Sequence, residues 1–242
     1  METLDKLKGK HALITGATRG IGRGIAFMLA KAGCHLMLAA RTEEALRDLA
    51  EILSTQYPDI IVRYKVIDAS QREQVKQLAE YTSAIFPVLF ILVNNVGLFK
   101  PGNLLGEAQD ALETHMSVNV YCPHYLSVFF GQKMVEAGEG HIFNVGSVAG
   151  KKSVPTAASY SVTKYALHGL TDVLRQELGP YGVKVTELIP GSTFTSSWEG
   201  TDIPEEQFVG VNDIAQALWV CLQMSKGANV DEIIIRPVSG KL

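Results

Sequence analysis

The sequence predicts an α/β fold in which a doubly wound parallel sheet of about seven strands carries helices on both faces. Short apolar runs, each typical of a buried strand, alternate with amphipathic segments of helical period, and this alternation indicates parallel strands joined by helices. The first run is followed by a glycine-rich turn and then by a helix. No linker, repeat or charge run divides the 242 residues, so we expect residues 1–242 to form a single domain.

Seven runs predict the strands. They are His11–Thr15, Leu36–Ala40, Ile60–Ile67, Leu89–Val93, His141–Val145, Val183–Ile189 and Glu232–Arg236. Helical periodicity in the segments between them predicts six helices. They are a helix ending at Ala32, then Thr42–Gln56, Ser70 to about Ala84, about Gln109–Ala137, a helix with Ser159 as its N-cap, and about Asp213–Met224.

Composition excludes several classes of protein. The net charge is −3 with acids and bases interspersed, whereas a nucleic-acid surface needs a concentrated basic stripe. Cys34, Cys122 and Cys221 are scattered without metal-ligand spacing, and free thiols favour a reducing compartment. Met1–Lys10 lacks the apolar core of a signal peptide, and Val88–Val93 is too short to span a bilayer. We expect a cytoplasmic protein with no metal, membrane or nucleic-acid partner.

Gly16–Gly22 lies between the first strand and the first helix. Such a turn offers backbone N–H groups and the positive end of a helix dipole to a phosphate. Its spacing, Gly-x-x-x-Gly-x-Gly, differs from the Gly-x-Gly-x-x-Gly of the standard dinucleotide fingerprint. Taken alone, the segment is as consistent with a tight structural turn as with a phosphate site.

Arg41 follows the second strand, where a NAD-binding fold usually has an acid for the ribose 2′-hydroxyl. An arginine would instead hold a 2′-phosphate, by a charge-assisted bond worth about 1.5–3 kcal/mol, and Arg19 could reach the same group. Glu43 and Glu44 are the competing acids. We assign both to the first turn of a helix capped by Thr42, so the pattern favours NADP over NAD.

Polar residues also follow other strands. Ligands of such sheets bind beyond the carboxyl ends of the strands, which puts Asp68, Asn95 and Ser147 within reach of one. Asp68 could equally open a helix, and Asn94 with Asn95 could form a turn. Asn119 lies inside a predicted helix, where asparagine competes for backbone hydrogen bonds. It either faces solvent or opens the helix locally and holds a water.

Tyr160 and Lys164 are four residues apart in a predicted helix and therefore share a face. An ammonium beside a phenol favours phenolate, which would suit the tyrosine to acid–base catalysis. An ordinary amphipathic helix would also present such a pair. Its apolar stripe is predicted to be Ala166, Leu167, Leu170, Val173, Leu174 and Leu178.

Together these motifs resemble the short-chain dehydrogenase/reductase family over almost the whole chain. The matching segments are Thr15–Gly22 (cofactor loop), Asp68 (adenine), Asn94–Gly97 with Val96 in place of alanine, the tetrad Asn119, Ser147, Tyr160 and Lys164, and Pro190, Gly191 and Thr195 beside the nicotinamide. The resemblance implies a Rossmann-type fold. It also implies hydride transfer between C4 of a nicotinamide and a carbonyl carbon.

In the roles that the resemblance implies, Tyr160 donates the proton to the substrate oxygen. Lys164 lowers the pKa of that tyrosine and bonds the nicotinamide ribose, Ser147 hydrogen-bonds the substrate oxygen, and Asn119 holds a water. Substrate binding is thus expected at Ser147 and Tyr160. The expected NADP(H) contacts are Gly16, Thr18, Arg19, Gly20, Ile21, Gly22, Arg41, Asp68, Ala69, Asn95, Gly97, Tyr160, Lys164, Pro190, Gly191, Thr193 and Thr195.

The sequence does not decide between 3-oxoacyl thioesters and small diketones or hydroxy acids as the substrate. The tail Ile234–Val238 is similar to a subgroup that includes reductases of short 3-hydroxy acids. The loop Ser196–Gly210 is expected to cover the substrate, with Leu98, Val148 and Trp198 as contacts. Two other classes compete: a catalytically silent NADP-binding sensor, and an isomerase or dehydratase, whose longer C-terminal substrate domain this chain has no room for. By analogy, a homodimer or homotetramer is expected through the helices of Asn119 and Tyr160.

Overall fold

The computed structural model describes residues 6–195 and 200–239. Within them, seven parallel strands form one sheet in the order β3-β2-β1-β4-β5-β6-β7. The strands are β1 His11–Thr15, β2 His35–Ala40, β3 Val62–Val66, β4 Ile91–Asn94, β5 Gly140–Val145, β6 Val183–Pro190 and β7 Glu232–Ile235. The predicted doubly wound parallel sheet is confirmed.

Helices cover both faces of this sheet. They are α1 Gly20–Lys31, α2 Glu43–Gln56, α3 Arg72–Ile85, α4 Ala111–Met116, α5 Cys122–Ala137, α6 Ala158–Leu178 and α7 Val211–Gln223. Apolar residues of α1, α2 and α7 form one core with the sheet, and those of α3, α5 and α6 form the second. Among the helices in the described ranges, none combines the length and the apolar character needed to cross a membrane.

The apolar runs overestimate some strands at their ends. β3 begins at Val62 and β4 at Ile91, although the predicted first residues Ile60 and Leu89 are buried. Apolar packing continues past the regular ladder, and a hydrophobic pattern reports burial rather than strand pairing.

α6 departs from the predicted amphipathic pattern. Val173 of the predicted stripe is 52% exposed, whereas Thr163, Lys164 and Thr171 are buried. The N-cap is Ala157 rather than Ser159, so that prediction was wrong. This helix buries a polar face, which requires hydrogen-bonding partners from the elements it packs against.

Gly22, near the start of α1, has no room for a side chain. A Cβ atom at Gly22 would lie 2.3 Å from the Gly16 carbonyl oxygen and 2.5 Å from Asn95 Nδ2. A Cβ at Gly169 in α6 would meet nothing within 4 Å. A side chain would therefore be crowded at Gly22 and free at Gly169.

We predict that Gly22→Ala lowers the free energy of unfolding by about 1–3 kcal/mol, because the added methyl group overpacks the loop. Gly169→Ala is the matched control and should raise it by about 0.5–1 kcal/mol through helix propensity. Urea denaturation of both variants measures the difference. Equal effects in the two variants would contradict the packing argument.

Candidate active site

The loops that follow β1, β4 and β5 meet at one edge of the sheet, because these strands are neighbours. The glycine loop is the first of them. Gly16 has φ +64° and Gly20 has φ +52°, a left-handed backbone that favours glycine. Asn95 Nδ2 donates to the carbonyl oxygens of Thr15 at 2.9 Å and Gly16 at 3.1 Å. Asn95 therefore braces the glycine loop from the end of β4.

Thr15 is a second brace, which the sequence reasoning did not single out. Its fully buried hydroxyl accepts from the backbone N–H groups of Asn95 and Val96, at 3.0 Å each, and donates to the Val93 carbonyl at 3.2 Å. A hydroxyl at the end of an apolar run was the available signal. Val96, which replaces the family's alanine, packs against the second core.

The start of α1 fits a phosphate group. Arg19 at the N-cap makes no side-chain cap hydrogen bond, and the first turn of α1 holds no acidic residue. The first backbone N–H groups of a helix lack intrahelical partners and attract anions. A Cβ at Gly20 would lie 3.1 Å from Cγ2 of Thr195, so the segment after β6 returns to this loop. Thr18 and Ile21 belong to the same turn.

Arg19 and Arg41 are both exposed and follow the adjacent strands β1 and β2. Ala17 N donates to the Ala39 carbonyl at 3.2 Å, which ties the glycine loop to the end of β2. Glu43 and Glu44 lie in the first turn of α2, as predicted. The two guanidinium groups thus border one corner of the sheet edge.

Asp68 is remote from this centre, because it follows the edge strand β3. Its Oδ1 accepts from the backbone N–H of Ser70 at 2.9 Å and from the Ser70 hydroxyl at 2.8 Å. These bonds form a local turn ahead of α3, whose N-cap is Gln71, so Asp68 does not itself open the helix. Its neighbour Ala69 is buried.

Asn94, at the end of β4, is also buried. Its amide donates to Ser127 Oγ at 2.9 Å and to Asn144 Oδ1 at 2.8 Å.

Three of the predicted catalytic side chains converge beyond β5. The Ser147 side chain lies near enough to the phenol of Tyr160 to favour its ionised form. Lys164 Nζ lies 5.6 Å from the centroid of the Tyr160 ring and donates to the Val145 carbonyl at 2.8 Å. The tyrosine, the lysine and the serine therefore form one polar and charged group at the carboxyl edge.

Asn119 joins them from the other side. It is buried in a π-helical segment, Ser117–Tyr121, between α4 and α5, so of the two alternatives for this residue the structure has the local opening of the helix and not the solvent-facing side chain. Its Oδ1 accepts from Leu98 N at 2.7 Å, and its Nδ2 donates to Thr163 Oγ1 at 3.0 Å. A Cβ at Gly97 would lie 3.7 Å from Asn119 Oδ1 and 3.9 Å from Lys164 Nζ. Both polar atoms thus border one small space beside Gly97.

The protonation of the pair differs from the prediction. Burial raises the pKa of Tyr160 above its ordinary value, although the interaction with Ser147 opposes that change. Burial also lowers the pKa of Lys164 to about 8. The expected depression of the tyrosine pKa was wrong for this structure, because loss of hydration raises the pKa by more than the interaction with Ser147 lowers it.

The loop after β4 contributes two residues that sequence reasoning missed. The Glu107 carboxylate accepts from the backbone N–H of Ser159 at 3.1 Å and from its hydroxyl. This hydrogen bond lowers the pKa of Glu107 and fixes the loop to the start of α6. The Phe99 ring meets the Tyr160 ring edge-on, with centroids 5.0 Å apart. Neither residue belongs to a local motif, so only the fold reveals them.

The segment after β6 is anchored at its start. Gly191 N, next to Pro190, donates to the Ile235 carbonyl at 2.7 Å, and the Thr193 hydroxyl donates to the Gly191 carbonyl at 3.0 Å. Of the predicted substrate contacts, Leu98 and Val148 are partly buried at the sheet edge. Trp198 lies outside the described residues.

Comparison with known proteins gives one consistent result. The model of the short chain dehydrogenase family matches residues 10–205. An uncharacterized oxidoreductase of Staphylococcus saprophyticus is 32% identical over 233 residues, which are 96% of this chain and 99% of that protein.

Two solved structures agree with this match. An alcohol dehydrogenase from the archaeon Thermococcus sibiricus, complexed with 5-hydroxy-NADP, superposes with a TM-score of 0.87 at 28% identity, covering 96% of this chain and 97% of the other. A metagenomic short-chain oxidoreductase in complex with NADP gives 0.83 at 28% identity, covering 96% and 98%. The chain belongs to the short-chain dehydrogenase/reductase family and is an oxidoreductase.

Proposed function

We propose that the protein is an NADP(H)-dependent oxidoreductase that interconverts a ketone or aldehyde and the corresponding alcohol. The observation that carries this proposal is the convergence of Ser147, Tyr160, Lys164 and Asn119 beside the glycine loop. The complete set of four residues argues against a sensor that has lost catalysis, and NADPH consumption with any carbonyl compound would exclude that alternative.

In the proposed mechanism, Ser147 and Tyr160 hold the substrate oxygen, and the Tyr160 hydroxyl gives it a proton as negative charge develops. Such positioned proton transfer typically accelerates a reaction by about 10²–10⁴-fold. Lys164 places a positive charge beneath the phenol, and Asn119 holds the helix open beside Gly97 for a water. The nicotinamide, when bound, supplies the hydride to the carbonyl carbon. We propose reduction as the favoured direction.

The cofactor residues proposed from the sequence would contact different parts of NADP(H). The glycine loop and the start of α1 would hold the pyrophosphate, and Arg41 with Arg19 would hold a 2′-phosphate. Their exposure at one corner supports NADP(H), as do the NADP ligands of the two solved relatives. Asp68, Ala69 and the Pro190–Thr195 segment remain proposed contacts.

The proposed substrate is a 3-oxoacyl compound or a similar carbonyl compound, with a short 3-hydroxy acid as the alternative within the family. Phe99 is 52% exposed beside Tyr160, and it supplies an apolar wall next to the reacting oxygen. That wall suits a substrate with an alkyl or acyl group adjacent to its carbonyl.

A homodimer or homotetramer is proposed from the outer faces of α5 and α6. Val128 of α5 and Val162, Tyr165 and Val173 of α6 are all at least 41% exposed. Large apolar side chains in such a patch typically mark an interaction surface.

We predict that Tyr160→Phe lowers kcat for carbonyl reduction by about 10²–10⁴-fold, because it removes the proton donor, while NADPH binding is retained. Tyr165→Phe is the matched control. Tyr165 lies on the same helix but is 44% exposed, and its loss of a hydroxyl should leave kcat unchanged. Stopped-flow NADPH oxidation and fluorescence titration measure both quantities. Full activity in Tyr160→Phe would refute the assignment.

We predict that Arg41→Ala weakens NADPH binding by about 10- to 150-fold, because a charge-assisted hydrogen bond is lost, and leaves NADH binding nearly unchanged. The control is Arg47→Ala, which removes an exposed guanidinium of α2 paired with Asp48. Isothermal titration with both cofactors provides the comparison. Equal losses for NADPH and NADH would show that Arg41 does not select the 2′-phosphate.

A further inference from the structure

A cluster of charged groups lies behind the proposed catalytic lysine, and the mechanism above does not use it. It consists of Lys151, His168, Glu187 and Glu232, and we call it the rear cluster. Its innermost member is Glu187 of β6, which is 1% exposed. A carboxylate buried to this extent is unfavourable unless charges and hydrogen bonds compensate it.

The hydrogen bonds of the rear cluster run in series. His168 Nδ1 donates to Glu187 Oε2 at 2.7 Å, and His168 Nε2 lies 3.0 Å from the Lys151 ammonium. Lys151 Nζ also donates to Glu232 Oε1 at 2.7 Å. A neutral His168 with its proton on Nδ1 satisfies both contacts of the ring. His168, Glu187 and Glu232 are near enough to share a cation, and the Lys151 ammonium already bonds two of them.

Glu187 also touches the backbone that holds the catalytic groups. A Cβ at Gly146 would lie 2.1 Å from Glu187 Oε1, so the absence of a side chain there admits the carboxylate. Gly146 separates Val145, whose carbonyl accepts from Lys164, from Ser147, which lies beside Tyr160. The carboxylate thus packs against the short segment on which both catalytic contacts depend.

The charges around Lys164 leave Glu187 as its buried counter-charge among the described residues. From α6, Tyr160 and His168 face this region, and neither of them supplies a negative charge. Lys151, after the turn that follows Ser147, is positive. Glu232 of β7 is 30% exposed and paired with Lys151, and β5 offers the Val145 carbonyl, a dipole only. Lys164 itself is 4% exposed.

We propose, on the basis of the function proposed above, that Glu187 is a positioning residue which keeps Lys164 in its ammonium form and fixes the Val145–Ser147 backbone beneath Tyr160. The direction of the electrostatics agrees. Burial lowers the pKa of Lys164 to about 8, and the negative charge of Glu187 acts against that decrease. Without the carboxylate, Lys164 would lose its proton at a lower pH.

The test compares Glu187→Gln with the matched control Glu232→Gln, which removes the other carboxylate of the rear cluster. In protein labelled with ¹³C-lysine, NMR follows the titration of Lys164, whose resonance is assigned by its absence in Lys164→Met. We expect the midpoint to fall by roughly one pH unit in Glu187→Gln and by less than half of that in Glu232→Gln. The alkaline limb of the pH profile for carbonyl reduction should fall with it.

An unchanged Lys164 midpoint in folded Glu187→Gln would overturn the proposal, as would an equal shift in Glu232→Gln. Glu187→Asp keeps the charge but withdraws it by one methylene, so it should shift the midpoint in the same direction by a smaller amount. That variant decides the question if Glu187→Gln does not fold, since an unshifted midpoint there also contradicts the proposal.

The NMR titration needs no turnover. Absence of NADPH oxidation in the parent protein, together with the expected shift in Glu187→Gln, would refute the proposed function alone. Normal turnover without the shift would refute the role of Glu187 alone.

Discussion

The buried ammonium of Lys164 is the constraint around which this end of the molecule is arranged. An ammonium that is 4% exposed must have acceptors close by, or it would lose its proton. The Val145 carbonyl supplies one acceptor at 2.8 Å. Backbone can come this near because two glycines follow β5, Gly146 directly and Gly150 at the end of the short turn Val148–Gly150. Side chains at Gly146 or Gly150 would collide with Glu187 or with the Lys164 carbonyl, at 2.1 and 2.7 Å. The close approach of the segment after β5 to Glu187 and to the backbone of α6 therefore requires glycine at both positions.

The same constraint explains why α6 is not an ordinary amphipathic helix. Its buried face carries Thr163, Lys164 and Thr171, so the elements opposite must offer polar partners. The helix opposite does so by widening into a π turn, which lets Asn119 donate to Thr163 at 3.0 Å and bond Leu98. On the other side, Asn144 donates to Thr171 at 2.8 Å. Satisfied networks of this kind are worth more than isolated pairs and fix one arrangement of the helices.

The sequence predicted what depends on local pattern and on order along the chain. Strand type, the parallel sheet, the glycine loop and the Tyr160–Lys164 pair follow from periodicity and spacing, because both are properties of neighbouring residues. Three features depend on residues far apart in sequence and were not predictable in this way. The Glu107 carboxylate accepts hydrogen bonds from Ser159 at the start of α6. The Thr15 hydroxyl accepts from the backbone of Asn95, which lies 80 positions later in the chain. The Glu187 carboxylate packs against Gly146. The predicted burial of Val173 was wrong for the same reason, because polar tertiary partners determine which face of α6 is buried.

The pKa values decide which proton the site can give. A phenol whose pKa is raised by burial keeps its proton at neutral pH, whereas an amine whose pKa lies at about 8 is close to releasing one. Reduction of a carbonyl needs a donor beside the substrate oxygen, and Tyr160 is in the form that supplies it. Oxidation of an alcohol needs the phenolate, which burial makes less accessible. In the proposed reduction, the phenolate left after Tyr160 has given its proton would be stabilised by the ammonium beneath it, provided that Lys164 is still charged. The protonated lysine therefore matters after the proton transfer more than before it, and this is the stage at which a buried carboxylate behind the lysine would act.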